Sequence, residues 1–153
     1  MKVLITGALG HIASRIVPQL VVRHELVLTD LNAGELAGLP VHPVDITDLE
    51  AVARISKGVD AVVHLAIASA RSIVKDREAF RNDRGECYKR FNEASIEANV
   101  RGTYHVFEAA RENGVRRVVY GSSLTVLLGA PRYEVVADDL RPRPSNFYAV
   151  TKL

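Results

Sequence analysis

The apolar positions of this chain alternate between short continuous runs and stretches at helical spacing, and that alternation predicts its elements. Lys2–Thr6 is an apolar run bounded by Gly7, the pattern of a strand buried on both faces of a parallel sheet. Ile12, Ile16, Val17 and Leu20 then recur at helical spacing, so a helix returns from that strand, bent or shortened near its end by Pro18. Glu25–Thr29 reads as a second strand that stops at Asp30, Asn32–Pro40 as a weak helix or loop, and Val41–Val44 as a third strand. Thr47 or Asp48 caps a helix over Leu49–Lys57, which ends at Gly58. Asp60–Ala66 is a fourth buried strand, Tyr88–Asn113 a long helix ending at Gly114, and Arg117–Gly121 a fifth strand. Leu124–Asn146 is loop-like, and Phe147–Lys152 opens another helix. Strands and helices alternating at this spacing define an α/β fold, a doubly wound parallel sheet with right-handed crossovers and five strands visible.

Composition narrows this picture without redirecting it. A chain of 153 residues, 48% hydrophobic and 25% charged, buries one good core and forms one domain over residues 1–153. Twenty basic residues stand against 18 acidic ones with no long block of either sign, which argues against nucleic acid as a partner. Cys87 is the single cysteine, so there is no disulfide framework, and a soluble protein of the reducing cytoplasm is expected. The first apolar segment is too short to span a membrane. The five histidines lack paired ligand spacing, and no metal site is expected.

The candidate chemistry begins where the first strand meets the first helix, at Gly7-Ala8-Leu9-Gly10-His11-Ile12-Ala13. Glycines here allow a sharp turn, and such a turn points free N–H groups and the helix dipole at one place, which suits a phosphate. Asp30 closes the second strand, where a carboxylate accepts hydrogen bonds from ribose hydroxyls and repels a 2′-phosphate, favouring NAD over NADP. Asp45, after the third strand, either closes over an adenine or serves as a turn residue ahead of a helix. Tyr148 and Lys152 fall on one face of the predicted last helix, where an ammonium beside a phenol makes the phenol usable as a general acid or base. Ser122 and Ser123 follow the fifth strand at the edge where open α/β sheets place ligands. His64 closes a buried strand and reads as a packed, hydrogen-bonded residue, and Cys87 as a structural thiol. The charged stretch Arg71–Arg90 is either a flap over the substrate or a solvated surface segment.

Taken together, Thr6–Ala13, Asp30, Asp45-Ile46, Asp60–Ala66, Asn99–Thr103, Val119–Ser123 and Tyr148–Lys152 resemble, in order and spacing, the extended short-chain dehydrogenase/reductases, in particular the NAD-dependent epimerase/dehydratase family and its N-terminal part. The resemblance implies a Rossmann-type domain in which Gly7, Gly10 and Ala13, with His11 and Ile12, cradle the pyrophosphate of NAD. It also implies that Asp30 holds the adenosine ribose, Asp45 and Ile46 contact the adenine, Leu65 and Ala66 line the cofactor cleft, and Asn99 braces the active-site helices. Ser123 would orient the reacting oxygen, Tyr148 act as acid/base, and Lys152 hold the nicotinamide ribose. Ala13 replaces a family glycine, and the loop Leu124–Gly129 lacks a tyrosine that many sugar-nucleotide members carry.

The expectation is therefore an NAD-dependent oxidoreductase or epimerase/dehydratase acting by hydride transfer on a sugar, sugar nucleotide or related polyol. The competing expectation is a non-catalytic NAD-binding module or cofactor sensor. The sheet pattern ends soon after its fifth strand, so the chain reads as lacking the substrate-binding C-terminal part, or else as using another copy to cover the Val118–Val119 edge. The helix carrying Asn99, Val106, Phe107 and Ala110 offers either a homodimer face or an ordinary core-facing stripe.

Overall fold

The computed structural model describes residues 1–68, 83–129 and 139–153. Its strands are β1 (Lys2–Thr6), β2 (Glu25–Asp30), β3 (Gly34–Leu36), β4 (Leu39–Pro43), β5 (Ala61–His64) and β6 (Arg117–Tyr120). They form a single six-stranded sheet in the order β3-β4-β2-β1-β5-β6. All neighbouring pairs are parallel except β3 and β4. The chain leaves β1 for β2 and β4 on one side, then returns to lay β5 and β6 on the other. That reversal opens a crevice at the C-terminal ends of β1 and β5, where sheets of this kind bind ligands.

Alternation along β1 explains both layers. Val3 and Ile5 join Val17 of α1 (Ala13–Leu20), Leu28, Val41 and Ala61 in one core. Leu4 joins Val52 of α2 (Leu49–Ile55) with Val62, Val106, Ala109 and Ala110 in the other. Residues of opposite parity therefore serve opposite faces, and every position of the strand but the partly exposed Lys2 is buried. The second layer is completed by α3 (Arg84–Ser95), a π-helical segment over Ile96–Gly102 and α4 (Thr103–Glu112). A short α5 covers Phe147–Val150.

The structure departs from the sequence pattern in two places. Asn32–Pro40 contains a strand, β3, paired antiparallel to β4 through a hairpin whose two central residues, Ala37 and Gly38, have φ of 53° and 75°. Positive φ at both positions is the turn that matches the twist of paired strands, and an alanine at the first of them conceals the signal. The long helix starts at Arg84 rather than Tyr88, because the Asp83 carboxylate accepts from the Glu86 N–H at 2.9 Å, and its middle is π-helical. Pro18 sits inside α1, which runs only eight residues. Asp48 is the residue that caps α2, accepting from the Ala51 N–H at 3.0 Å. Among the described residues β6 pairs only with β5, and Val119 on it is half exposed. The segments 69–82 and 130–138, which include most of the charged Arg71–Arg90 stretch, lie outside the described residues.

Candidate cofactor and active site

The turn after β1 is closed by its own backbone. Gly10 N–H donates to the Gly7 carbonyl and Ala8 N–H to the Thr29 carbonyl, both at 3.0 Å. Gly7 has φ +72°, and a Cβ built there would lie 2.6 Å from the Ala66 nitrogen and 2.7 Å from the Leu65 carbonyl carbon. The turn thus lets β1 pass against the exit of β5, where any side chain would collide. The N–H groups of His11, Ile12 and Ala13 find no acceptor among the described residues. They open α1, so unpaired donors and the positive end of the helix dipole face the crevice together.

Asp30 has two tasks. Its Oδ2 accepts from the Leu9 N–H at 2.9 Å and its Oδ1 from the Leu31 N–H at 2.8 Å, so the carboxylate staples the glycine turn to the end of β2. A carboxylate has roughly four acceptor positions, and two remain for the hydroxyls of a ribose. Asp45 folds back on its own turn, with Oδ1 accepting from both the N–H and the hydroxyl of Thr47 at 2.8 Å. Ile46 is buried on the opposite wall, held by His105, whose Nδ1 lies 3.2 Å from the Ile46 carbonyl.

These residues line one cleft of about 740 Å³, which gathers Gly7, Gly10, His11, Ile12, Ala13, Asp30, Asp45, Ile46, Leu65 and Ala66. Leu9, Thr29, Leu31, Asn32, Val44, Ile67 and Ala98 complete it. Sequence reasoning missed this group because their shared wall exists only after β1, β2 and β5 are aligned. The cradle fits a pyrophosphate by its free donors, and the cleft fits an adenosine by its size and its acidic rim.

A second cavity of about 600 Å³ shares Ile67 with the first and is lined by Ala68, Tyr88, Phe91, Asn92, Asn146, Phe147 and Tyr148. Tyr148 is half buried there, its ring 6.2 Å from that of Phe91. Asn146 caps α5 by accepting from the Ala149 N–H at 2.8 Å, which sets where Tyr148 enters the cavity. Asn99 is buried and spends both ends of its side chain on the protein. Its Oδ1 accepts from Ala68 N–H at 2.8 Å and its Nδ2 donates to the Thr151 hydroxyl at 3.0 Å, so it ties the exit of β5 to the segment after Tyr148. Asn99 does not line the cofactor cleft, where its neighbour Ala98 does. Asn99 lies within the π-helical segment, and π-bulges of this kind occur at functional sites.

Ser123 and Lys152 each have partners within the protein. The Ser123 hydroxyl accepts from the N–H of Thr125 at 3.2 Å and lies 2.8 Å from its hydroxyl, capping a short 3-10 turn over Leu124–Leu127. Helix α5 ends at Val150 and tightens, with Lys152 N–H donating to the Ala149 carbonyl at 3.1 Å. Lys152 lies two residues past the end of α5. It is 2% exposed, its ammonium lies 4.2 Å from the centre of the Tyr120 ring, and burial pushes its pKa down to about 8. Its backbone carbonyl accepts from the Ser122 hydroxyl at 2.8 Å.

Beneath this pair lies His64, fully buried, with Nδ1 2.6 Å from the Thr6 hydroxyl and Nε2 3.0 Å from that of Thr103. Burial first, and the Lys152 charge second, lower its pKa from 6.5 to about 4. An unfolded chain therefore binds a proton at His64 that the folded chain refuses between those values, so stability falls as pH drops through this window. From pH 7 to pH 5 the protein is expected to lose about 2 kcal/mol from this residue, read as a drop in the urea midpoint, and His64→Gln is expected to flatten that slope.

An open, mostly parallel sheet with a glycine turn, a strand-end carboxylate and a ligand crevice at its reversal point defines a dinucleotide-binding protein of the Rossmann class. The chain belongs to the NAD-dependent epimerase/dehydratase family, whose model matches residues 3–153. It is 29% identical to a uronate dehydrogenase of Pseudomonas syringae pv. tomato, over 99% of this chain and 50% of that protein. It is 31% identical to a UDP-glucose 4-epimerase of Streptomyces lividans, over 99% of this chain and 44% of that protein. Among solved structures, a uronate dehydrogenase mutant from Agrobacterium tumefaciens complexed with NAD superposes with a TM-score of 0.77 at 28% identity, covering 99% of this chain and 51% of that one. The chain thus spans about half the length of the curated relatives it matches. No helix among the described residues is long and apolar enough to cross a membrane, and no group of three or more metal-ligating side chains assembles among them.

Proposed function

We propose that this chain supplies the cofactor-binding part of an NAD-dependent dehydrogenase or epimerase acting on a sugar, sugar nucleotide or related polyol. The observation that carries this reading is the meeting of two cavities at Ile67, one built around the free donors of the glycine turn and the other around Tyr148. NAD, when bound, supplies the hydride acceptor or donor. Within the chain, the donors of His11, Ile12 and Ala13 receive the pyrophosphate, and Asp30 receives the adenosine ribose. Tyr148 gives or takes the proton of a substrate hydroxyl, and the buried ammonium of Lys152 lends positive charge to that end of the site. Ser123 orients the reacting oxygen once its hydroxyl exchanges Thr125 for substrate.

Titration calorimetry with NAD and NADP tests the cradle directly. Wild type is expected to prefer NAD, and Asp30→Asn, which keeps an acceptor but removes the charge, is expected to shift the ratio towards NADP about tenfold. Failure of NAD to bind at millimolar concentration would sink the reading. A second reading, a non-catalytic NAD-binding module, is favoured by two details: the Ser123 hydroxyl is already occupied, and Lys152 rests on Tyr120. Binding without hydride transfer across a panel of sugars, uronates and sugar nucleotides would select it.

A further inference from the structure

The buried His64 lines neither the cofactor cleft nor the Tyr148 cavity, but its ring joins residues of β1, β6 and α4. Its protonation pattern follows from its partners. The Thr6 hydroxyl oxygen accepts from the Ala66 N–H at 3.3 Å and shares at 3.3 Å the Leu65 N–H, whose shorter bond of 3.1 Å goes to the Thr6 carbonyl, so the hydroxyl's own hydrogen is the one available for His64. Thr6 therefore donates to Nδ1, and the imidazole proton sits on Nε2, donating to the Thr103 hydroxyl. A charged imidazole would present a third donor to Thr6 and a second cation to Lys152.

From this ring the contacts continue towards the catalytic segment. His64 stacks on Tyr120, with centroids 5.8 Å apart and planes 28° from parallel. The Thr103 hydroxyl faces the same phenol, and it opposes the upward pressure that burial, foremost, exerts on the Tyr120 pKa. Tyr120 in turn donates to the Thr151 carbonyl at 3.2 Å and carries the Lys152 ammonium over its ring. Tyr120 and Lys152 are the titratable groups that face the imidazole.

We propose that His64 is a positioning residue: a neutral imidazole, protonated on Nε2, that joins the end of β1 to the Tyr120 platform and thereby holds Thr151 and Lys152 in place behind Tyr148. The importance of that placement for turnover rests on the proposed function, but the coupling itself does not. It explains why a histidine, rather than an apolar residue, occupies a fully buried strand end. An apolar side chain would fill the space but take the acceptor from the Thr6 hydroxyl hydrogen and the ring donor from Thr103.

Nitrogen-15 spectra of the full chain labelled at histidine test the first half. At pH 6, where an exposed histidine is mostly charged, His64 is expected to remain neutral with its proton on Nε2. A charged His64 or a proton on Nδ1 would overturn the proposal. Thr103→Val tests the second half, because it keeps the shape and removes the acceptor. Amide exchange at Thr151 and Lys152 is expected to quicken about tenfold, with Thr103→Ser restoring the wild-type rate. The Lys152 titration should move upwards towards the ordinary lysine range as its platform loosens. A folded Thr103→Val with unchanged exchange and unchanged Lys152 titration would also overturn it. Tyr120→Phe, which keeps the ring and removes the bond to Thr151, is expected to give the same faster exchange should Thr103→Val not fold, and unchanged exchange in it counts equally against the proposal. Neither readout uses cofactor or turnover, so this proposal and the NAD reading fail independently.

Discussion

Gly7→Ala is expected to lose about 3 kcal/mol of stability and all measurable NAD binding, since the added methyl meets two obstacles at once. The first is conformational, because Gly7 has φ +72°, where a Cβ is strained against its own backbone. The second is a collision with backbone rather than with a yielding side chain, 2.6 Å from the nitrogen of Ala66. Relief requires β1 and β5 to part at their C-terminal ends, which is where the cleft opens. The turn would also shift away from Asp30, whose Oδ2 holds the Leu9 N–H, and the donors at the start of α1 would lose their common aim. Denaturant unfolding gives the stability term and calorimetry the binding term. A folded Gly7→Ala variant that binds NAD like wild type would remove the cradle assignment.

Tyr148→Phe carries the other large effect, and it isolates chemistry from binding. The phenol lies in the second cavity and lines no part of the cofactor cleft, so NAD affinity is expected to stay within about threefold of wild type while hydride transfer falls about 10²- to 10⁴-fold. Absorbance of the reduced nicotinamide, followed with uronates, free sugars and sugar nucleotides in turn, measures the rate. Equal rates in the two proteins would exclude Tyr148 as the acid/base. Helix α5 keeps its Asn146 cap in the variant, because the cap bonds a backbone N–H and not the tyrosine.

How much of this was legible beforehand depended on the range of the interaction. The run from Val3 to Ala13 announces a strand, a turn and a helix because each is set by neighbours in sequence, and the structure has them there. The position of Asp30 at a strand end is legible for the same reason. The antiparallel strand at Gly34–Leu36 was hidden by a turn that uses alanine at positive φ. The π-helical segment over Ile96–Gly102 has no sequence signature at all, since its extra residue per turn is stabilised by what Asn99 reaches across the fold.

Lys152 shows the boundary most clearly. Its spacing from Tyr148 is local information, whereas the place its ammonium takes is set by a residue 32 positions away. Helix periodicity places Lys152 near the segment of Tyr148, and only the fold brings the ammonium to 4.2 Å from the Tyr120 ring. His64 was recognisable as a buried, hydrogen-bonded residue. Its partners are separated from it by 58 and 39 positions, so only the alignment of β1, β5 and α4 reveals that it bridges them. By itself, the sequence determined five of the six strands, the glycine turn, the acidic residue beside it and the family to which the chain belongs, because these depend on local backbone demands and on alternation along each strand. Tertiary structure alone decided which side chains share a wall, which hydroxyls pair with His64, and where the charge of Lys152 comes to rest, because each of those is a contact between segments that the chain brings together only on folding.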